Sequence, residues 1–99
     1  MKAYKRIVSI SENEFKKRVS SINSAKSLKY GIEYVNIFVK GDWIYGVRKS
    51  TNNSFKIDLS SLYQAHKELE LMNTEALKGY VKTRAQSPAL AILKEIGII

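Results

Sequence analysis

Cysteine is absent from this chain, and its absence excludes several kinds of site. Without thiols the protein has no disulfide framework, no thiolate metal site and no cysteine nucleophile. Its 99 residues are nevertheless enough for one domain, and a domain of that size buries roughly two thirds of the surface of its unfolded chain. We therefore expect a single basic α+β domain over residues 1–99, in a reducing, cytoplasmic compartment.

Glycine and histidine are too few and too scattered to form a catalytic or cofactor motif. The five glycines stand apart from one another, so there is no phosphate-binding loop. The only histidine, His66, has neither a serine and aspartate at triad spacing nor a second strong metal ligand beside it. We therefore expect no metal, no cofactor and no catalytic residue. Catalysis by His66 is the alternative to an ordinary position on a helix.

Long apolar segments are missing as well. No run approaches the ~20 residues that a membrane-spanning helix needs, and the N-terminal sequence MKAYKRIVSISENEF lacks the apolar centre of a signal peptide. We expect no membrane partner.

Acidic residues are in the minority, and their placement makes the charge lopsided. The chain has 17 lysines and arginines against 9 aspartates and glutamates, a formal charge of +8. Residues 1–30 hold eight of the cations and only two acids, a net charge of +6. A field concentrated in this way attracts polyanions at long range. These cations alternate with apolar residues, which indicates a folded element rather than a basic tail.

The pattern of apolar and turn residues predicts the order β-α-β-β-β-α-α-α. Lys2 to Ile10 is typical of a strand, and Ser11 to Glu14 (SENE) has the composition of a capping box. A first helix should then run from about residue 12 to 22. Residues 32–40, 43–49 and 54–57 predict a three-strand antiparallel meander. Its turns are at Gly41-Asp42, as type II′, and at residues 50–53. With the N-terminal strand, these form one small sheet packed by helices.

Three helices should follow the meander. The second begins at Asp58 or Ser60 and runs to about residue 71, and a short third one begins at Asn73 or Thr74. The fourth begins with Ser87 as its N-cap and ends at Gly97. The side chains that we expect to be buried are Phe15, Val19, Val35, Ile37, Leu62, Leu69, Leu90 and Leu93.

The C-terminal helix is apolar nearly all round, from Ala89 to Leu93, and Ile98 and Ile99 follow it. Such a helix either lies at the centre of the core or forms an interface between two copies of the chain. A homodimer through this helix is therefore one expectation.

Two segments suggest contacts with nucleic acid. In the second hairpin of the meander, Arg48, Lys49 and Lys56 lie near the aromatic residues Trp43, Tyr45 and Phe55. A β-ribbon of this composition can enter a major groove or stack on unpaired bases. The alternative is that the aromatics form half of a small core and the lysines protect a sheet edge.

The second segment is VKTRAQSP, residues 81–88, which contains the only proline. Lys82, Arg84 and Gln86 come directly before a helix whose first backbone N–H groups could hold a phosphate. The alternative is an ordinary helix cap beside solvated charges. The residues that we expect to contact nucleic acid are Lys5, Arg6, Lys16, Lys17, Lys26, Lys29, Arg48, Lys49, Lys56, Lys82, Arg84 and Gln86.

These observations support three hypotheses about function. The first is a non-enzymatic nucleic-acid-binding protein with an accessory or regulatory role, with DNA favoured over RNA. In element order the basic chain also resembles the bacterial RelE-type ribonuclease toxins, although three C-terminal helices do not fit that comparison. The second hypothesis is accordingly a ribonuclease that uses lysine, arginine and tyrosine, with or without His66, and the resemblance in element order assigns no individual residue. The third hypothesis is an interaction or inhibitor protein whose basic face meets an acidic protein.

Overall fold

The computed structural model describes residues 2–99 and has the expected α+β class. A four-stranded antiparallel sheet in the order β2-β3-β4-β5 carries the helices, and β1 and β6 form a separate two-stranded sheet. The elements are β1 (Tyr4–Lys5), α1 (Glu12–Ser21), β2 (Ala25–Lys26), β3 (Glu33–Lys40), β4 (Trp43–Arg48), β5 (Asn53–Asp58), α2 (Leu59–Glu68), β6 (Leu71–Met72), α3 (Thr74–Leu77) and α4 (Gln86–Glu95).

The N-terminal strand is shorter than predicted and lies outside the main sheet. Only Tyr4–Lys5 is a strand, and it pairs with Leu71–Met72 rather than with the meander. Beyond it the backbone N–H of Arg6 donates to the carbonyl of Glu70, and that of Ile7 donates to the carbonyl of Ile98. Residues 4–7 therefore pair with two parts of the chain, first with residues 70–72 and then with Ile98. The fourth strand of the main sheet comes from Ala25–Lys26, which lies between the first predicted helix and the predicted meander.

Helix α1 begins at the predicted capping residue. The Ser11 hydroxyl accepts the backbone N–H of Glu14 at 3.2 Å, and the helix buries Phe15 and Val19. The carboxylate of Glu14 accepts from Nε of Arg18 at 3.0 Å. Nη1 of Arg18 donates in turn to the carbonyl of Ile96 at 3.0 Å, which connects α1 to the end of α4.

A β-bulge in β3 changes which side chains face the helices. Asn36 has a positive φ of 53°, and the register with β4 shifts between Val35 and Phe38. Because the extra residue reverses the alternation, Tyr34 and Ile37 both face the core and are each 3% exposed. Val35 is only half-buried on the opposite face, so the prediction that it belongs to the core was wrong.

Both turns of the meander have the predicted backbone geometry. Gly41 has φ +61° and Asp42 does not share the positive φ, which is the pattern of a type II′ turn. Asn52 lies in the left-handed region with φ 59°.

Helix α2 begins at Asp58, whose side chain accepts the backbone N–H of Ser61 at 3.2 Å. The helix ends at Glu68, about three residues earlier than predicted, and Leu69 is half-buried rather than in the core. The end is stabilised by Arg6, whose Nη1 donates to the carbonyls of His66, Lys67 and Leu69 at 2.8, 2.9 and 3.2 Å. A guanidinium at this position satisfies carbonyls that lack a partner within the helix.

Helix α4 has the predicted end but a different beginning. Its N-cap is Ala85, which makes no capping hydrogen bond, and the Ser87 hydroxyl accepts from the hydroxyl of Tyr34 at 3.0 Å. The prediction of Ser87 as the N-cap was therefore wrong. At the other end Gly97 has φ +85°. The N–H of Ile98 donates to the carbonyl of Leu93, which with the bond from Gly97 to Lys94 forms a Schellman motif.

The core is one continuous cluster between the four-stranded sheet and the helices. Helix α4 lies inside it, since Ala89 to Leu93 are all 8% exposed or less, and Ile98 is fully buried. The chain itself thus covers the apolar helix and tail. The argument for a homodimer through this helix loses its basis, because its apolar surface is already occupied.

We expect Gly46→Ala to destabilise the protein by about 1–3 kcal/mol, because the Phe55 ring lies directly over Gly46. A Cβ at this position would lie 2.6 Å from Cε2 of Phe55 and 3.2 Å from Cγ1 of Ile37. Gly79→Ala is the matched control, since its Cβ would meet only the Ala76 carbonyl, at 3.8 Å. Urea denaturation of both variants checks the prediction, and equal stability of the two would contradict it.

We expect Leu93→Ala to lower the free energy of unfolding by about 2–5 kcal/mol, because the fully buried side chain would leave a cavity inside the core. Lys94→Ala, one residue further along the same helix, removes an exposed side chain and should change stability little. A melting temperature of Leu93→Ala equal to that of the unchanged protein would show that α4 is peripheral.

Candidate nucleic-acid interface

Two of the four arginines are part of the framework of the fold. Arg6 binds the end of α2 and Arg18 the end of α4, as described above. Arg6 was expected to contact nucleic acid, but its guanidinium already donates to three backbone carbonyls. We therefore leave it out of the candidate interface.

The face of the sheet that points away from the helices, here the outer face, is aromatic. Phe38 of β3 stacks on Tyr45 of β4 with ring centroids 5.2 Å apart, and Nζ of Lys56 lies 4.7 Å from the Trp43 ring. Phe55 is on the opposite face, where it meets Tyr34 edge-on at 5.7 Å. The aromatic residues of the hairpin thus divide between the two faces of the sheet.

The charges on this outer face are only partly compensated. Lys49 forms an ion pair with Glu33 at 3.2 Å, Lys26 of β2 lies opposite Glu33, and Asp58 shares the face with Lys40 and Lys56. Four lysines against two carboxylates leave a net charge of +2 on this face. Because carboxylates interrupt the positive charge there, the face attracts a polyanion less strongly than a basic surface without acids. The remaining hairpin cation, Arg48, is on the opposite face of the sheet.

The larger of two adjoining cavities, which we call the tyrosine cavity, lies between the N-terminal strand, the loop 27–30 and α4. Its volume is about 490 Å³. Tyr4, Tyr30 and Leu90 supply its apolar surface, and Lys2 and Lys29 its charge. The Nζ of Lys29 lies 5.3 Å from the Tyr30 ring, and that of Lys2 lies 5.4 Å from the Tyr4 ring. Tyr30 is 74% exposed, so one face of its ring is open to a ligand.

A second cavity, here the arginine cleft, has a volume of about 240 Å³. Arg48 enters it from the end of β4, and Arg84 from the loop before α4. Its remaining walls are hydroxyl, amide and apolar groups from Ile32, Tyr34, Asn53, Ser54, Phe55, Ser87 and Pro88. Ser87 lines both cavities, so the arginine cleft and the tyrosine cavity adjoin.

The two cavities together form what we call the basic groove. Four cations, Lys2, Lys29, Arg48 and Arg84, line it, and no aspartate or glutamate among residues 2–99 does. Unbalanced positive charge in a concave surface of low dielectric focuses the field toward an entering anion. Both surfaces carry aromatic rings, and the absence of described carboxylates makes the groove better suited to a polyanion than the outer face.

The loop before α4 is held on both sides of Arg84. The Thr83 hydroxyl donates to the carbonyl of Lys56 at 2.5 Å, and Nε2 of Gln86 donates to the carbonyl of Val81 at 2.7 Å. Gln86 was expected to contact phosphate, but this hydrogen bond accounts for its side chain. Of the three polar residues singled out in VKTRAQSP, only Arg84 lines the groove.

The other residues expected to contact nucleic acid are exposed but separate from the groove. Lys16 and Lys17 lie on the solvent side of α1, and Lys5, Lys26 and Lys82 are exposed on other elements. None of the five lines either cavity. Lys29, Arg48 and Arg84 are the only predicted residues that the fold brings to the groove.

Sequence reasoning missed most of the tyrosine cavity. The sequence places Lys2 and Tyr4 in a strand of the main sheet and gives no role to Tyr30. One signal was available: Lys29 and Tyr30 are a basic and an aromatic residue side by side in a polar segment. Nothing local indicates that this pair meets the N-terminal strand.

His66 is enclosed in the core and has a structural contact. It is 0% exposed, packs between Phe15 and Tyr63, and accepts the backbone N–H of Ile10 on Nε2 at 3.1 Å. Burial, and next the positive charge of Arg6, lower the pKa of His66 below 6.5. The ring is therefore neutral near pH 7, with its proton on Nδ1.

Fold and groove together describe a small α+β protein with a basic, aromatic cavity between its sheet and its last helix. Comparisons with family models, curated proteins and solved structures find no match to this chain. Within residues 2–99 no cluster of three or more potential metal ligands occurs, and no helix there is long and apolar enough to cross a bilayer.

We expect the free energy of unfolding to decrease as the pH falls below about 6.5, the pKa of an unperturbed histidine. The unfolded chain binds a proton to His66 at that pH, whereas the folded chain does not until the pH reaches the lower pKa of the buried ring. His66→Gln should remove this part of the pH dependence. Urea denaturation between pH 7.5 and 5 measures it, and parallel curves for the two proteins would contradict the prediction.

Proposed function

We propose that this chain is a non-enzymatic nucleic-acid-binding module and that it binds through the basic groove. The observation that carries the proposal is that four cations and two tyrosines line adjoining cavities, to which residues 2–99 contribute no carboxylate. The phosphates of a nucleic acid would compensate the positive charge of these side chains, and their binding releases counterions. This contribution to the binding free energy favours nucleic acid over a neutral ligand.

The shape of the groove favours unpaired bases over a duplex. Sequence-tolerant recognition of single strands combines a basic track with aromatic rings on which bases stack. The open face of Tyr30 and the apolar wall formed by Leu28 and Leu90 provide such a surface. A duplex, with its bases already stacked, gains nothing from these groups. The preference for DNA over RNA suggested by the sequence stays part of the proposal.

A ribonuclease is supported less well. The histidine that this alternative would use is enclosed by Phe15 and Tyr63, and its Nε2 is occupied by a backbone N–H. A general base must reach the proton that it removes. His66 could do so only if the core opened.

We expect single-stranded DNA to bind with a constant whose logarithm decreases linearly with the logarithm of salt concentration. Lys29→Ala should weaken binding and reduce the slope by about one unit, because one phosphate contact is lost. Lys17→Ala removes the same charge from α1, outside the groove, and is the matched control. Fluorescence anisotropy with single-stranded DNA, RNA and duplex DNA side by side provides the measurement.

Three outcomes would overturn the proposal. Equal effects of Lys17→Ala and Lys29→Ala would locate the contact outside the groove. Cleavage of the RNA probe would favour the ribonuclease. Failure of every polynucleotide to bind at low salt would leave an acidic protein as the partner of the basic surface.

A further inference from the structure

The four arginines of this chain fall into two pairs that differ in their contacts. Arg6 and Arg18 are used within the fold, where they donate to backbone carbonyls and, for Arg18, to a carboxylate. The side chains of Arg48 and Arg84 have no hydrogen-bond acceptor and no ion-pair partner among residues 2–99. Both of these unpartnered guanidinium groups line the arginine cleft.

The partial burial of Arg48 makes the missing acceptor costly. Its Nε is covered by other atoms, so water does not reach it, and no group within residues 2–99 accepts its hydrogen bond. A buried donor without an acceptor loses its hydration without compensation. The Tyr34, Phe55 and Pro88 side chains around it offer no carboxylate. Because Nε is enclosed, an anion in the cleft would compensate the charge of the Arg48 guanidinium rather than accept from Nε itself.

Arg84 reaches the cleft from an unfavourable backbone conformation. Its φ of 57° lies in the left-handed region, which side chains other than glycine, asparagine and aspartate rarely adopt. The hydrogen bonds of Thr83 and Gln86 on either side hold the loop in this form. The fold thus holds Arg84 in a strained conformation in the same cleft as Arg48, although the two positive charges repel each other. Both features are typical of a binding site rather than of a framework position.

We propose that the arginine cleft binds the terminal phosphate of a nucleic-acid strand, an inference that rests on the function proposed above and identifies the part of the ligand that the groove recognises. A terminal phosphate carries a charge of about −1.5 to −2 near pH 7, whereas a phosphodiester within a strand carries −1. Two arginines without a neighbouring acid match the terminal group better. The hydroxyl of Ser87 can donate to one of its remaining oxygens.

In this proposal the sugar and base of the terminal nucleotide lie beside the tyrosine cavity. Ser87 lines both cavities, so a phosphate in the cleft has its sugar and base beside the tyrosine cavity. The volume of about 490 Å³ is within the range of small-molecule sites. Tyr4 and Tyr30 provide aromatic surface there, and Lys29 is available to the next phosphate of the strand.

The experiment compares one single-stranded DNA with a 5′-phosphate, with a 3′-phosphate and with hydroxyls at both ends. We expect one phosphorylated form to bind about tenfold more tightly or better than the hydroxyl form, the effect of one charge-assisted hydrogen-bond pair. Which of the two it is identifies the end of the strand. Adenosine 5′-monophosphate and adenosine are tested as well, with NMR chemical shifts of Arg84 and Tyr30 as the readout.

Arg84→Gly is the most informative variant, because glycine adopts the positive φ without strain. We expect it to fold with an unchanged or raised melting temperature and to lose the preference for the phosphorylated strand. Lys82→Ala removes the same charge two residues earlier, outside the cleft, and should keep the preference. Arg48→Gln, checked for folding by thermal denaturation, should lose it as well.

The results separate the two proposals. If the strands bind equally, with or without a terminal phosphate, the cleft does not recognise that group, although the module still binds nucleic acid. If the monophosphate shifts Arg84 and Tyr30 while no polynucleotide binds, the phosphate site stands and the nucleic-acid function falls. An undiminished preference in Arg84→Gly would overturn the assignment of the phosphate to this cleft.

Discussion

A single extra residue in β3 decides which side chains meet the start of α4. The bulge at Asn36 places Tyr34 on the helix side of the sheet, where its hydroxyl donates to Ser87. That hydrogen bond connects the sheet to the first turn of α4 at the boundary of the two cavities. Without the bulge the alternation of β3 would direct Tyr34 to the outer face. The groove therefore depends on a local irregularity.

Some cations of this chain have partners within the described part of the fold, and others do not. Arg6 and Arg18 hold the ends of helices to distant parts of the chain, and Lys49 is paired with Glu33. The fold itself supplies acceptors for these groups. Arg48 and Arg84 have none among residues 2–99, and together with Lys2 and Lys29 they concentrate positive charge in a groove that no described carboxylate lines. Counting cations along a sequence does not distinguish the two situations, because both kinds of arginine look the same.

Much of the secondary structure was predictable because its signals are local. Ser11, Asp58 and Gly97 act within a few residues of themselves, and their caps occur where the sequence predicts them. Gly41 and Asn52 likewise specify their own turns. The misplaced cap at Ser87 has a different cause, since Tyr34, 53 positions away, engages its hydroxyl. Local rules fail where a distant partner competes for the same group.

The amino-acid sequence by itself determined the α+β class, the three-strand meander, the apolar character of α4 and the excess of positive charge, because each depends on composition or on short-range periodicity. Tertiary structure alone decided that β1 pairs with β6, that His66 is enclosed, and that Lys2 and Lys29 line one cavity beside Arg48 and Arg84. These outcomes join residues far apart along the chain. Their contacts depend on how whole elements pack, which no local pattern encodes.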